Sequence, residues 1–258
     1  MTEATDSYLI PTDAKGSVTA GLTSHPLIAH KMTVLRNADT VPHDFRRTVK
    51  EMTFYLGYEA TRHLTSASCE VVTSWDIKYT GHKIADKVAI IPILRAGLCM
   101  ADAMLELLPT AAVHHIGMYH AKNSSLPVQY YNRLPKDSTC DIAFICDVCI
   151  STGISLLAVI SIVKKWGAKK IVVIAVIGTV PGIDKIKALH PDVHIVVGGI
   201  DEQLSPNGHA LPGIGDAGDR LFGTPIEEDN AFLATMTPLD NGVGSARKRS
   251  RSIVDDGK

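Results

Sequence analysis

The chain has 258 residues, enough for one sizeable α/β domain with extensions or at most two small ones. Apolar residues make up 45% and charged residues 21%, and the formal net charge of −1 offers no global attraction to nucleic acid or to a membrane surface. Five cysteines, scattered at 69, 99, 140, 146 and 149, and an N-terminus lacking a basic region followed by an apolar stretch lead to the expectation of a cytoplasmic protein without disulfides.

Residues 1–22 are polar, with Pro11, Gly16 and Gly21, and are expected to form a flexible N-terminal arm. The folded domain is expected over 23–225. Asp44 to His63 has helical spacing and, with Tyr55 and Tyr58, predicts a helix packing as a cap or an interface. Val88 to Leu94 predicts a strand, Leu98 to Leu108 a helix, Val113 to Tyr119 a second strand, and Gln129 to Asn132 a short hairpin partner. Ile142 to Cys146 suits a buried strand and Ser155 to Trp166 a helix. The pattern repeats with a strand at Ile171 to Ile177, a helix at Ile183 to His190 and a strand at Val193 to Val197. Near-continuous β-branched runs separated by helices predict an α/β fold, a parallel sheet flanked by helices on both faces. Such sheets bind ligands beyond the carboxyl ends of their strands. Pro225 closes the domain, and 226–258 is expected to be a disordered tail whose basic run, Arg247 to Arg251, is a solvated segment or a localisation signal rather than a nucleic-acid site.

Between Ile142 and Val163 the apolar run stops for one acid, Asp147, and one small-residue step, Ser151-Thr152-Gly153. A membrane span is rejected, because a carboxylate at mid-span is costly and Ser-Thr-Gly breaks a helix. Strand, acid, small loop and helix outline a phosphate site, with the N–H groups of Thr152, Gly153, Ile154 and Ser155 pointing outward at a helix start. The competing reading is a plain turn in which Asp147 caps the helix. Cys146 and Cys149 form a C-x-x-C without a second pair at zinc spacing, so two half-buried thiols are expected. Arg95 ends an apolar strand before Ala96-Gly97 and offers a fork of donors suited to pyrophosphate, unless it is held in a structural ion pair. Gly213, Gly215 and Gly218 spell a literal G-x-G-x-x-G, but this one follows Pro212 and meets Gly223 and Pro225 before a helix is expected to develop. It therefore predicts a loop whose backbone approaches a small flat heterocycle. His114 and His115, adjacent on a predicted strand, face opposite ways and cannot chelate together without distortion, so metal ligation by these and His120 is set aside. Neither the phosphate-loop lysine motif of kinases nor a G-x-S-x-G elbow is present.

Pro92-Ile-Leu-Arg-Ala-Gly97, Gly117-Met-Tyr119, Asp147 with Ser151-Thr-Gly153 and Ser155, and Pro212-Gly-Ile-Gly-Asp-Ala-Gly-Asp-Arg-Leu-Phe-Gly-Thr224 together resemble the uracil phosphoribosyltransferase family. The resemblance extends to His25-Pro-Leu-Ile-Ala-His-Lys-Met32 and Tyr58-Glu-Ala60. It implies a type I phosphoribosyltransferase fold with a small hood or arm, and an enzyme of pyrimidine salvage. The reaction implied joins uracil to 5-phosphoribosyl 1-pyrophosphate (PRPP), giving uridine monophosphate (UMP) and pyrophosphate. Carried over by motif, PRPP is held by Arg95, His120, Asp147, Val148, Cys149, Ile150, Ser151, Thr152, Gly153, Ile154, Ser155 and Asp216. Uracil is held by Ala210, Gly215, Asp216 and Ala217, with Arg95, Asp147 and Asp216 central to the chemistry. Magnesium travels with PRPP without a protein metal site of its own, GTP is a candidate effector, and a homo-oligomer is expected. Val148 stands where the family has proline, Ile154 where it has glycine, His120 where it has arginine, and His209 and Ala210 where it has a tyrosine and a larger aliphatic residue. Ile154 is expected either to be strained, if that glycine has positive φ, or to crowd the phosphate. These departures open an alternative, a catalytically weakened homologue acting as a nucleotide-binding or regulatory subunit.

Overall fold

The computed structural model describes residues 18–19, 24–120, 127–138 and 140–224, without the side chains of Thr19 and His120. The compact unit closes at Thr224. The expected tail, 226–258, lies outside the described residues, and of the expected arm only 18–19 lie within them.

Two helices lead in, α1 (Pro26–Arg36) and α2 (Pro42–Ala60), each with proline in its first turn, where a missing N–H is harmless. On α2, Phe45, Val49, Met52, Leu56 and Ala60 recur at the helical period and are buried against the sheet, so α2 is a core helix. Tyr55 and Tyr58 lie on its exposed side. A ribbon not predicted from the sequence follows, β2 (Ser66–Val72) paired antiparallel with β3 (Lys78–Ile84). Its strands lack an alternating apolar face because the ribbon buries almost nothing, so the period of two was absent.

Then come β4 (Val88–Leu94), α3 (Leu98–Leu107), β5 (Ala112–Val113), β6 (Ile116–His120), β7 (Pro127–Asn132), β8 (Ile142–Ile150), α4 (Ile154–Trp166), β9 (Lys170–Thr179), α5 (Val180–Leu189) and β10 (His194–Asp201). With β1 (Val18–Thr19), the sheet order is β1-β10-β9-β8-β4-β6-β7, and β5 also pairs with β4. Pairing is parallel except between β6 and β7, the expected hairpin. On β8 the residues Ile142, Phe144, Cys146 and Val148 pack toward α1, α2 and α3, while Ala143 and Ile145 pack toward α4 and α5. Both faces are therefore buried, which is why the strands are apolar throughout.

Several boundaries differ from expectation, three of them near the site or with a plain cause. β8 runs past Cys146 to Ile150, because Asp147, Cys149 and Ile150 go on pairing with Ala175, Ile177 and Gly178 of β9. The predicted strand at 113–119 splits into β5 and β6, with His114 and His115 between them. α5 starts at Val180, since the buried Thr179 accepts the Gly182 N–H as its N-cap and Pro181 sits in the first turn.

Candidate active site

β4 and β8 lie side by side with Pro92 opposite Cys146, so Arg95 and Asp147 both emerge at the carboxyl edge of the sheet. There a cavity of about 210 Å³ is lined by Asp147, by the loop Cys149–Leu156, and by Ile93, Leu94 and Met118. A larger hollow of about 660 Å³ opens between α1 and α2, and four charges along it are already paired, Lys31 with Glu51 and Arg47 with Asp44.

Asp147 is half-buried on the cavity floor. Burial pushes its carboxyl up to about 7, against the downward pull of the Cys149 and Val148 N–H groups it accepts. Val148 is fully buried in the core, so it brings only its main chain to the loop, and Ile150 is buried in the opposite core. Burial and the neighbouring carboxylates of Asp147, Asp201 and Asp216 push the Cys149 thiol up to about 12. It is a neutral wall of the cavity.

The residue that caps α4 is Gly153, not Asp147, and it offers no side chain to the first turn. Its φ is +74°, and a Cβ there would stand 2.8 Å from the Gly182 carbonyl oxygen, so the position requires glycine. Ile154 follows as the first residue of the helix. Among the described residues the one non-glycine with positive φ is Asp76, so the expected backbone strain at Ile154 does not arise. The Ile154 N–H reaches no better partner than the Thr152 hydroxyl at 3.5 Å. Behind the loop, the Thr179 hydroxyl donates to the Ser151 carbonyl at 2.7 Å and braces it against α5.

Arg95 follows a cis Leu94–Arg95 peptide, and its Nη2 meets Asp219 Oδ1 at 2.9 Å. The ion pair weighed from sequence is thus present, and it ties Arg95 to the glycine-rich segment. That segment descends from a small hairpin, β11 (Gln203–Leu204) and β12 (Ala210–Leu211), through a cis Leu211–Pro212 bond. At the hairpin turn, a Cβ on Gly208 would stand 2.9 Å from the Thr152 side chain, so the hood abuts the loop 147–155. Contrary to expectation a helix does develop, α6 (Ala217–Phe222). Asp216 caps it by accepting the Asp219 N–H at 2.8 Å, and Gly223 closes it at φ +66°. Gly215 and Asp216 are exposed, whereas the Ala217 side chain is buried in the core. Ala210 sits in β12, half-buried. The His120 side chain lies outside the described residues.

Several supporting residues were not found from sequence. Buried Asp201, at the end of β10, accepts the Gly213 N–H at 2.9 Å and pairs with Arg36 of α1 at 2.6 Å, while Arg36 also donates to the Gly213 carbonyl at 2.9 Å. Arg220 lies over the Phe45 ring at 4.2 Å and donates to the carbonyls of Leu35, Ile214 and Asn37. Asp201 carried a signal, since an apolar run ending in an acid is the same pattern that singled out Asp147. Arg36 and Arg220 carried none.

A parallel sheet whose central strand delivers an acid into a small-residue loop at a helix start, with a hood over the same edge, is the architecture of type I phosphoribosyltransferases. Residues 22–224 match the profile of the family described as uracil phosphoribosyltransferase. The uracil phosphoribosyltransferase of Thermosipho melanesiensis is 47% identical over 201 residues, 78% of this chain and 96% of that protein. That of a Roseiflexus species is 43% identical over 203 residues, 79% of this chain and 97% of its own length. A solved structure of a protein from Aquifex aeolicus superposes with a TM-score of 0.75 at 31% identity, covering 81% of this chain and 99% of that one. The chain belongs to the uracil phosphoribosyltransferase family.

Proposed function

We propose that the protein transfers the phosphoribosyl group of PRPP to uracil, forming UMP and pyrophosphate. The observation that carries this is the loop 147–155, which wraps a cavity at the carboxyl edge of the sheet and ends at a helix start without a side-chain cap. Ser151 to Ser155 take the ribose 5-phosphate, with Cys149 and Ile150 as cavity wall and the Val148 N–H holding the Asp147 carboxylate. Asp147 takes the ribose hydroxyls. Arg95 grips the pyrophosphate, with His120 beside it. Gly215, Asp216 and Ala217, with the backbone of Ala210, hold uracil, and Asp216 also faces the donor.

As the C1–O bond breaks, positive charge grows on the ribose and negative charge on the departing pyrophosphate, so positioning and electrostatic stabilisation carry the catalysis. The uracil nitrogen takes the vacated bond to C1 as its N–H proton passes to water or to the departing pyrophosphate, and no side-chain nucleophile is called for. Among the described residues no cluster of three or more His, Cys, Asp or Glu could hold a metal by itself. Magnesium prefers one or two carboxylates together with phosphate oxygens, so Asp147, the carboxylate lining the cavity, suits an ion that arrives with PRPP. The ion would neutralise charge on the leaving pyrophosphate. Five free thiols support a reducing, cytoplasmic setting. The exposed apolar ribbon β2–β3 supports a homo-oligomer.

Purified protein supplied with magnesium, PRPP and radiolabelled uracil is expected to form UMP, and to leave cytosine, hypoxanthine and orotate untouched. Conversion of another base in place of uracil, or no product at high enzyme concentration, overturns the proposal. GTP added to the same assay reads its role as an effector.

A further inference from the structure

Asp219 lies outside every subsite assigned above, yet it is the residue on which Arg95 rests. Its Oδ1 accepts from Arg95 Nη2 at 2.9 Å and from the Thr224 hydroxyl at 2.6 Å, and its N–H is held by Asp216. The Asp219 side chain is 14% exposed and that of Arg95 is 53% exposed. The carboxylate is therefore fixed from two sides, while the guanidinium is fixed at a single nitrogen. Among the described residues no other partner engages the guanidinium, so most of its donor fork stays open to solvent. The neighbouring Gly218 makes room for it, because a Cβ there would stand 3.1 Å from Nη2.

An ion pair this exposed adds little to stability. Its effect is on geometry. An arginine loses rotamer freedom when ordered, and one already tethered gives up less of it on binding. We propose that Asp219 is a positioning residue that holds Arg95 by one nitrogen with the rest of its fork turned to the departing pyrophosphate. Because Asp219 lies in α6 and Asp216 caps that helix, the segment that carries the uracil contacts also sets the donor grip. The proposal rests on the reading of Arg95 as the pyrophosphate ligand.

Asp219→Asn keeps the shape, the acceptor for Thr224 and the N–H bound by Asp216, and removes the charge that holds Arg95. The expected result is a rise in KM for PRPP of about five- to tenfold, the scale of one weakened charge-assisted hydrogen bond. KM for uracil and the unfolding temperature should stay near wild type. In an Arg95→Ala background the same substitution should change nothing further, since a residue acting through Arg95 has nothing left to act on. An unchanged KM for PRPP, an equal rise for both substrates, or an undiminished effect in the Arg95→Ala background overturns the proposal. An Arg95→Ala enzyme with wild-type KM for PRPP instead removes the reading of Arg95, and the proposal with it. Should Asp219→Asn fail to fold, Thr224→Val loosens the same carboxylate and is expected to raise KM for PRPP alone; no change there overturns the proposal.

Discussion

Asp147 is held at the cavity floor in a setting that favours its neutral form, at about 7 against an ordinary value of 3.8. As pH rises from 4 to 7 the unfolded chain ionises this group first, so the folded state loses stability across that window, and above it the loss is complete. Asp147→Asn should therefore unfold at a higher temperature than wild type at pH 8, match it near pH 4, and bind PRPP poorly; calorimetric scans at the two pH values with PRPP titrations check this. Such a trade of stability for ligand-directed charge is expected where a carboxylate serves substrate rather than fold. At this scale the sequence was informative wherever a residue broke a pattern. Asp147 interrupted an apolar run, and Gly153 stood at its end. Ile154 was ambiguous because a β-branched residue is costly in a left-handed turn and harmless at the first position of a helix. One residue of register, with Gly153 taking the positive φ, decides between these.

Among the elements, α1 and α6 matter most to the site, and neither was read as a helix from sequence. α1 sends Arg36 to the Gly213 loop, where it meets buried Asp201. Removing Arg36 leaves that carboxylate buried beside an unanchored loop. Arg36→Ala is expected to destabilise the fold by about 3 kcal/mol and to raise KM for uracil more than KM for PRPP. Denaturant unfolding and steady-state kinetics test the two halves separately, and an unaffected KM for uracil would show that the clamp serves the fold alone. α6 has only six residues, too few to show a helical period, and depends on its Asp216 cap and Gly223 stop. The longer elements were legible because they bury an entire stripe or both strand faces, as α2 does through Phe45, Val49, Met52 and Leu56.

At the scale of the molecule, the β2–β3 ribbon stands apart from the main sheet and exposes Val72, Ile77, Tyr79 and Trp75, the last at 84%. A two-stranded ribbon is marginal alone in water, and apolar surface of this kind is what contact with another chain would cover. Sedimentation is expected to find a homo-oligomer, and the double substitution Trp75→Glu with Ile77→Glu to shift it toward monomer; an unshifted distribution would place the interface elsewhere. The sequence alone determined the parallel sheet and its carboxyl edge, because burial on both faces imposes short β-branched apolar runs that alternate with helices. It also marked the loop 147–155, because an acid and three small residues interrupt the apolar run there. Only the tertiary structure decided which distant residues meet at that edge, Arg95 with Asp219 across 124 positions and Arg36 with Asp201 across 165. Those pairings follow from how α1 packs on α2 and β10 and α6 on α2, and such docking leaves no local period in the chain to announce it.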